Sequence, residues 1–216
     1  MKTDASPERK ALLIMAAIGT AEIFAIWAAL RGARPGLPYR LLLAGHPAGW
    51  LSAVLVSVLF IWLSTARLPM IREHLLDIRP IKLAGMVFGV LAAVGEELWF
   101  RRIPMDLLAR ANHGPAVQVL AAALLFGLAH AVWGLFGRQW RSALAAMIAT
   151  GLLGAALALV YLAGGRAIAP CIWSHAAINL ILEPWLLLAV LSRRSGPGKA
   201  LGLGPSPFPP LPRRAS

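Results

Sequence analysis

Charge is scarce in this chain. Only 14% of the 216 residues are Asp, Glu, Lys or Arg, against ~25% in soluble domains. Cysteine is nearly absent too. The single Cys171 rules out an intrachain disulfide and so a disulfide framework. Acidic residues are few as well, nine against twenty-one Lys and Arg, which leaves a net charge of +12. The basic residues are not gathered into one segment, so the footprint of a nucleic-acid-binding face is missing. No repeat of 20–50 residues is evident, which excludes a solenoid or array.

What the chain has instead is apolar length. Its hydrophobic fraction is 59%, above the ~45–50% of a soluble chain. About 20 mainly apolar residues span a bilayer. Six stretches qualify: Ala11–Leu30, Gly49–Ala66, Leu83–Phe100, Gly114–Phe136, Ala143–Ala163 and Ala167–Leu191. The spacing predicts an all-α, polytopic membrane bundle of about six helices around a polar intramembrane cavity. The first stretch exceeds the ~7–15 residues of a signal-peptide core and lacks a small-residue cleavage site, so it reads as an uncleaved span. Leu37–Ala44 reads as a short interfacial piece, and Asp106–Arg110 as part of a partly immersed helix.

The chain divides into N-terminal spans and a loop (1–80), a membrane core (81–192) and a Gly/Pro-rich tail (193–216). The tail's composition cannot build a core and predicts a disordered cytoplasmic segment. Six spans place both termini on one side. That side carries roughly twice as many Lys and Arg as the other, which predicts cytoplasmic termini. The expected location is a bacterial cytoplasmic membrane.

Polar residues inside the spans stand out against this background. A charged side chain at the bilayer centre costs ~2.5–3.5 kcal/mol on insertion scales. In VGEELWFRR, Glu97 and Arg101 are four apart and share a helix face, while Glu96 is turned by about 100°. In LLFGLAHAVW, Phe126 and His130 share a face. In PCIWSHAAINL, His175 and Asn179 do the same, and Pro170 marks a helix start. Each pair has a bland explanation. Charges at a span end reach the headgroups, and His or Asn within a bundle bonds one helix to another.

Together the three motifs supply a base, two imidazoles and an amide donor. Those are parts that hydrolyse a peptide bond: a carboxylate takes a proton from water, and N–H groups hold the oxyanion. GEExxxR, FxxxH and HxxxN, in that order on apolar helices, resemble the CPBP family of intramembrane proteases. That family includes type II CAAX prenyl endopeptidases and bacterial relatives linked to bacteriocin self-immunity. The resemblance covers about Leu83–Glu183.

It implies an intramembrane endopeptidase with a cavity open to the membrane and the cytosol. Glu96 would activate water with His130 assisting. Glu97 would orient the site and pair with Arg101. His175 and Asn179 would form the oxyanion hole. The implied partners are the bilayer and a membrane-associated, in some relatives lipidated, protein or peptide. The charge count, by contrast, places the end of the third span on the outer side.

One departure from the family pattern is Arg102, where relatives commonly have Gly. HExxH is absent, and the resemblance leans to catalysis without an obligatory cofactor. Zn2+ stays open as an alternative, because two His and a Glu make a three-ligand set. Three other readings compete. A proton-coupled transporter would use the carboxylates as a relay. A non-catalytic immunity or binding protein would keep the helices without the chemistry. A thiol enzyme would use Cys171, one turn before His175.

Overall fold

The computed structural model describes residues 7–31, 42–68, 71–72, 80–136 and 140–194. Among the described residues the regular structure is entirely helical. The helices are α1 (Pro7–Leu30), α2 (Pro47–Arg67), α3 (Pro80–Glu97), α4 (Ile103–Arg110), α5 (Pro115–Phe136), α6 (Trp140–Ala163) and α7 (Ala169–Arg194). Four of them begin on a proline, where the missing N–H has no intrahelical partner to lose. In α7, Pro170 is the second residue, so the expected start holds.

Among the described residues five stretches are long and apolar enough to cross a membrane: Leu12–Leu30, Pro47–Arg67, Lys82–Arg110, Pro115–Val132 and Ala143–Ala163. The sixth expected span falls on α7, which runs 26 residues and opens on a shorter apolar stretch, Ala169–Leu182. Large apolar side chains along α2, among them Leu51, Leu55, Leu59 and Trp62, lie exposed on its outer face. Such a face is stable against lipid tails and not against water. The Leu37–Ala44 piece lies largely outside the described residues, and the 195–216 part of the expected tail lies wholly outside them.

The third span does not stop at Phe100 as the sequence suggests. It passes through a π turn, Leu98–Arg102, and continues as α4. Pro104 accounts for the turn. Its ring takes the space of the Phe100 carbonyl in a regular helix, and Pro has no N–H to donate there. The chain widens instead, and the Ile103 N–H donates to the Leu98 carbonyl five residues back.

Small residues set the helix spacing, as they do in lipid, where close backbone approach replaces the hydrophobic drive. A Cβ on Gly127 of α5 would stand 2.7 Å from the Met147 carbonyl of α6, and one on Gly151 would stand 3.4 Å from the Ala123 carbonyl. The α3–α7 contact is equally tight, because a Cβ on Gly89 would lie 2.9 Å from the Asn179 Cβ.

One buried cluster, including Met15, Phe88, Phe126, Leu157 and Ile178, joins α1, α3, α5, α6 and α7. A second, including Ala53, Leu98, Met105, Tyr161 and Ile172, joins α2 to the far end of the bundle. Cys171 belongs to that second cluster, and its thiol donates to the Leu157 carbonyl at 3.3 Å. Two indoles tie outer elements down. Trp99 Nε1 donates to the Ala25 carbonyl (3.2 Å), and Trp173 Nε1 to the Leu42 carbonyl (2.7 Å).

Candidate active site

Glu97 and Arg101 sit one turn apart across the start of the π turn, and both are fully buried. Arg101 Nε and Nη2 donate to the two oxygens of Glu97 at 3.1 and 3.2 Å. This two-pronged geometry is the strong form of an arginine–carboxylate pair. Arg101 also lies over the Phe126 ring, with its Cζ 5.0 Å from the centroid.

Glu97 has a third partner from α7. His175 Nδ1 is 2.9 Å from Glu97 Oε1. A carboxylate engaged by Arg101 is an acceptor only, so Nδ1 carries the hydrogen and donates. His175 Nε2 is thereby turned towards Glu96, 3.7 Å from its Oε2. His130 on α5 is arranged in the same way. Its Nδ1 is 2.9 Å from the Phe126 carbonyl, which can only accept. Its Nε2 also stands 3.7 Å from Glu96 Oε2.

Two imidazoles, each fixed through Nδ1, therefore present Nε2 to one oxygen of Glu96. Both separations exceed direct hydrogen-bond length and suit a small bridging group such as water. Glu96 and His130 are partly exposed, at 19% and 22%, so this side of the cluster is the accessible one. Phe126 is the common wall. Its ring centroid is 4.4 Å from that of His130, 5.5 Å from His175 and 5.7 Å from Phe100.

Asn179 lies one turn beyond His175 and donates from Nδ2 to the Gly89 carbonyl at 3.3 Å. Part of its role is thus the helix-to-helix bond that the bland reading anticipates. An amide carries two N–H donors, so one hydrogen bond leaves a second donor.

The structure thus brings Glu96, Glu97, Arg101, His130 and His175 into one cluster, with Asn179 at its edge. It separates Cys171, whose thiol faces α6. Arg102 is also separate. It lines a cavity of about 500 Å³ with Asp106, Arg110, Tyr161, Arg166 and Ile168, and none of the six candidate residues lines that cavity. Asp106 accepts from Tyr161 Oη (2.9 Å) and from Arg166 Nη2 (2.8 Å). Among the described residues no group of three or more His, Cys, Asp or Glu side chains is arranged to hold a metal ion.

One residue near the site escaped the motif reading. Glu22, in the middle of α1, reaches the backbone at Gly95. Its carboxylate occupies the place a Cβ there would take. The signal was available, since Glu22 is the one charged residue between Ala11 and Leu30.

Residues 79–181 match the family model of the Rce1-like type II CAAX prenyl endopeptidases. This is the family that the three motifs resemble, and the match begins and ends close to the motif-bearing helices. It covers just under half of the chain. Neither the curated proteins nor the solved structures give a match. The Rce1-like segment holds every residue of the cluster, from Glu96 to Asn179. It matches the model of a protease family, and with five membrane-length apolar helices among the described residues the chain is an integral membrane protein.

Proposed function

We propose that this protein is an intramembrane endopeptidase in which Glu96 activates water. The observation that carries the reading is the placement of Glu96 Oε2 3.7 Å from both His130 Nε2 and His175 Nε2. A water held among these three atoms loses a proton to Glu96, assisted by neutral His130, whose free Nε2 accepts. The resulting hydroxide adds to the scissile carbonyl.

The oxyanion then needs N–H donors. His175 serves from Nε2 and Asn179 from its second amide N–H. His175 Nδ1 is committed to Glu97, so Nε2 can donate only while the ring is an imidazolium. The proton on Glu96 passes to the departing amine, and the C–N bond breaks. Glu97 and Arg101 touch no substrate in this scheme and orient His175.

The substrate is a membrane-associated protein or peptide, as the family implies. The protein sits in a cytoplasmic membrane with both termini on the cytoplasmic side.

The test is cleavage of a membrane-peptide library by the detergent-purified protein and by Glu96→Gln, read by intact mass. Cleavage by the wild type alone supports the reading. Cleavage by both removes Glu96 from the mechanism. Cleavage by neither, with both folded, shifts the weight to binding or transport.

A further inference from the structure

We infer that the cavity lined by Arg102, Arg110 and Arg166 binds the phosphate of an anionic phospholipid whose headgroup carries hydroxyl groups. The inference stands apart from the peptidase cluster, none of whose residues lines this cavity, and does not depend on that reading.

The first observation is charge left over. Among the residues that line the cavity, three arginines face a single carboxylate, Asp106. Asp106 stands four residues from Arg102 and four from Arg110, the spacing at which a helix pairs opposite charges. It pairs with neither. Arg166 takes it from the turn between α6 and α7, with Nε and Nη2 donating to Oδ1 at 3.0 and 2.8 Å. Among the described residues, the guanidinium groups of Arg102 and Arg110 make no hydrogen bond or ion pair. The lining therefore carries two positive charges that nothing in it balances.

The second observation is construction. Arg166 also donates from Nη1 to Gln118 Oε1 (3.0 Å) and from Nη2 to the Met105 carbonyl (2.8 Å), so α4 and α5 both hold it. Its φ of 64° follows one of 68° at Gly165. A left-handed residue other than glycine is uncommon, and such strain persists where the surroundings enforce it, often at a ligand clamp. The Tyr161 hydroxyl and both Arg166 nitrogens converge on Asp106 Oδ1, while Oδ2 accepts from no described residue. Two open guanidinium forks suit phosphate oxygens. A free carboxylate oxygen beside them suits a hydroxyl donor on the same headgroup.

The third observation is place. The cavity lies where α4 ends, α6 turns into α7 and α2 is about to begin. The membrane-length stretches Lys82–Arg110 and Ala143–Ala163 finish here, and Pro47–Arg67 starts here. Trp50 and Trp173 lie about one turn inside the starts of α2 and α7, at the level where tryptophan meets lipid headgroups. Leu42 and Leu43, next to the lining residue Ala44, are exposed and give an acyl chain an apolar path away from the cavity. The volume of about 500 Å³ falls within the ~300–1,000 Å³ of small-molecule sites. A phosphate ester could also arrive from solution, but a site at the ends of membrane spans favours the lipid.

The test is native mass spectrometry of the full-length protein in detergent, titrated with phosphatidylglycerol or phosphatidylcholine. The expected result is one phosphatidylglycerol held per protein, with phosphatidylcholine held far more weakly. Arg102→Gln and Arg110→Gln each weaken the binding by about fivefold, and together by more than tenfold, as for loss of one interfacial charge at a time. Neither change breaks a bond within the protein, so the unfolding temperature without lipid stays at the wild-type value. Arg141→Gln, at the start of α6 on the opposite end of the bundle, leaves the binding unchanged. Wild-type binding in the double variant overturns the inference. So does an equal loss in Arg141→Gln, which would mean a general attraction to charge, and so does equal binding of phosphatidylcholine. Glycerol phosphate supplies the same phosphate and hydroxyls without acyl chains. If it displaces the lipid at equal concentration, a soluble phosphate ester and not a phospholipid is the occupant, and the inference fails in that respect.

Discussion

His175 donates from Nδ1 to Glu97 at 2.9 Å, and the same carboxylate receives two bonds from Arg101. One fully buried side chain thus joins the π turn to α7. Glu97→Gln leaves the Arg101 charge buried without its counter-ion. That loss destabilises by about 3–5 kcal/mol in buried pairs. Glu96 is partly exposed, and loss of a charge there costs far less than loss from a sealed pair. The expected outcome is a large drop in unfolding temperature for Glu97→Gln and almost none for Glu96→Gln, with activity lost in both. Parallel thermal melts and cleavage assays check it.

Chelation gives a second expected outcome. Glu97 is spent on Arg101 and His175, and both histidine Nδ1 atoms are tied back. In the proposed scheme Glu96 takes the proton from water and no step calls for a metal. Cleavage therefore survives prolonged dialysis against EDTA. Loss of activity that zinc restores would reverse this expectation.

The α5–α6 contact predicts sensitivity at a glycine far from the chemistry. A methyl on Gly127 would sit 2.7 Å from the Met147 carbonyl, which is backbone and cannot swing away. Overpacking of this kind costs about 1–3 kcal/mol. Gly127→Ala should lower the unfolding temperature and reduce kcat in step, because α5 carries both Phe126 and His130. Gly114→Ala, where a Cβ meets nothing within 4 Å, is the matched control.

Orientation in the membrane is open to direct labelling. Cys171 is buried and silent to a bulky maleimide, so a new cysteine reports alone. His113 is exposed in the turn between α4 and α5. With cytoplasmic termini, His113→Cys reacts with an impermeant maleimide added to intact cells. Reaction only after permeabilisation would turn the bundle over and make the third span end in the cytosol, as the family's cavity would have it.

Much of the site was legible from one-turn spacings. Glu97 with Arg101, Phe126 with His130, and His175 with Asn179 each share a helix face, and interior placement is the cheap solution in lipid. Spacing within helices says nothing about which helices meet. Glu22 was therefore invisible as a neighbour of Gly95, although its isolation in an apolar run marked it. The end of the third span was misjudged for a related reason. Arg101 and Arg102 read as a charged terminus, whereas Arg101 is neutralised inside the bundle and the helix runs on to Arg110. The π turn follows from Pro104, two residues past it.

Asn179 shows the limit from the other side. Its residue type suits an oxyanion hole, yet only the fold reveals that one amide N–H is already given to Gly89. Sequence cannot separate these uses, because both call for a polar side chain on the same face.

Two ion pairs grip the continuous segment that runs from α3 through the π turn into α4, one across the start of the π turn and one beyond it. Glu97–Arg101 has no accessible surface, while Asp106–Arg166 is about one-third exposed on each side chain. Dissolved ions screen the exposed pair and leave the sealed one untouched. Ionic strength therefore acts on this segment unevenly. Concentrated salt slackens its far end, where α4 meets Arg166, while the part bearing Glu96 and Glu97 keeps its grip.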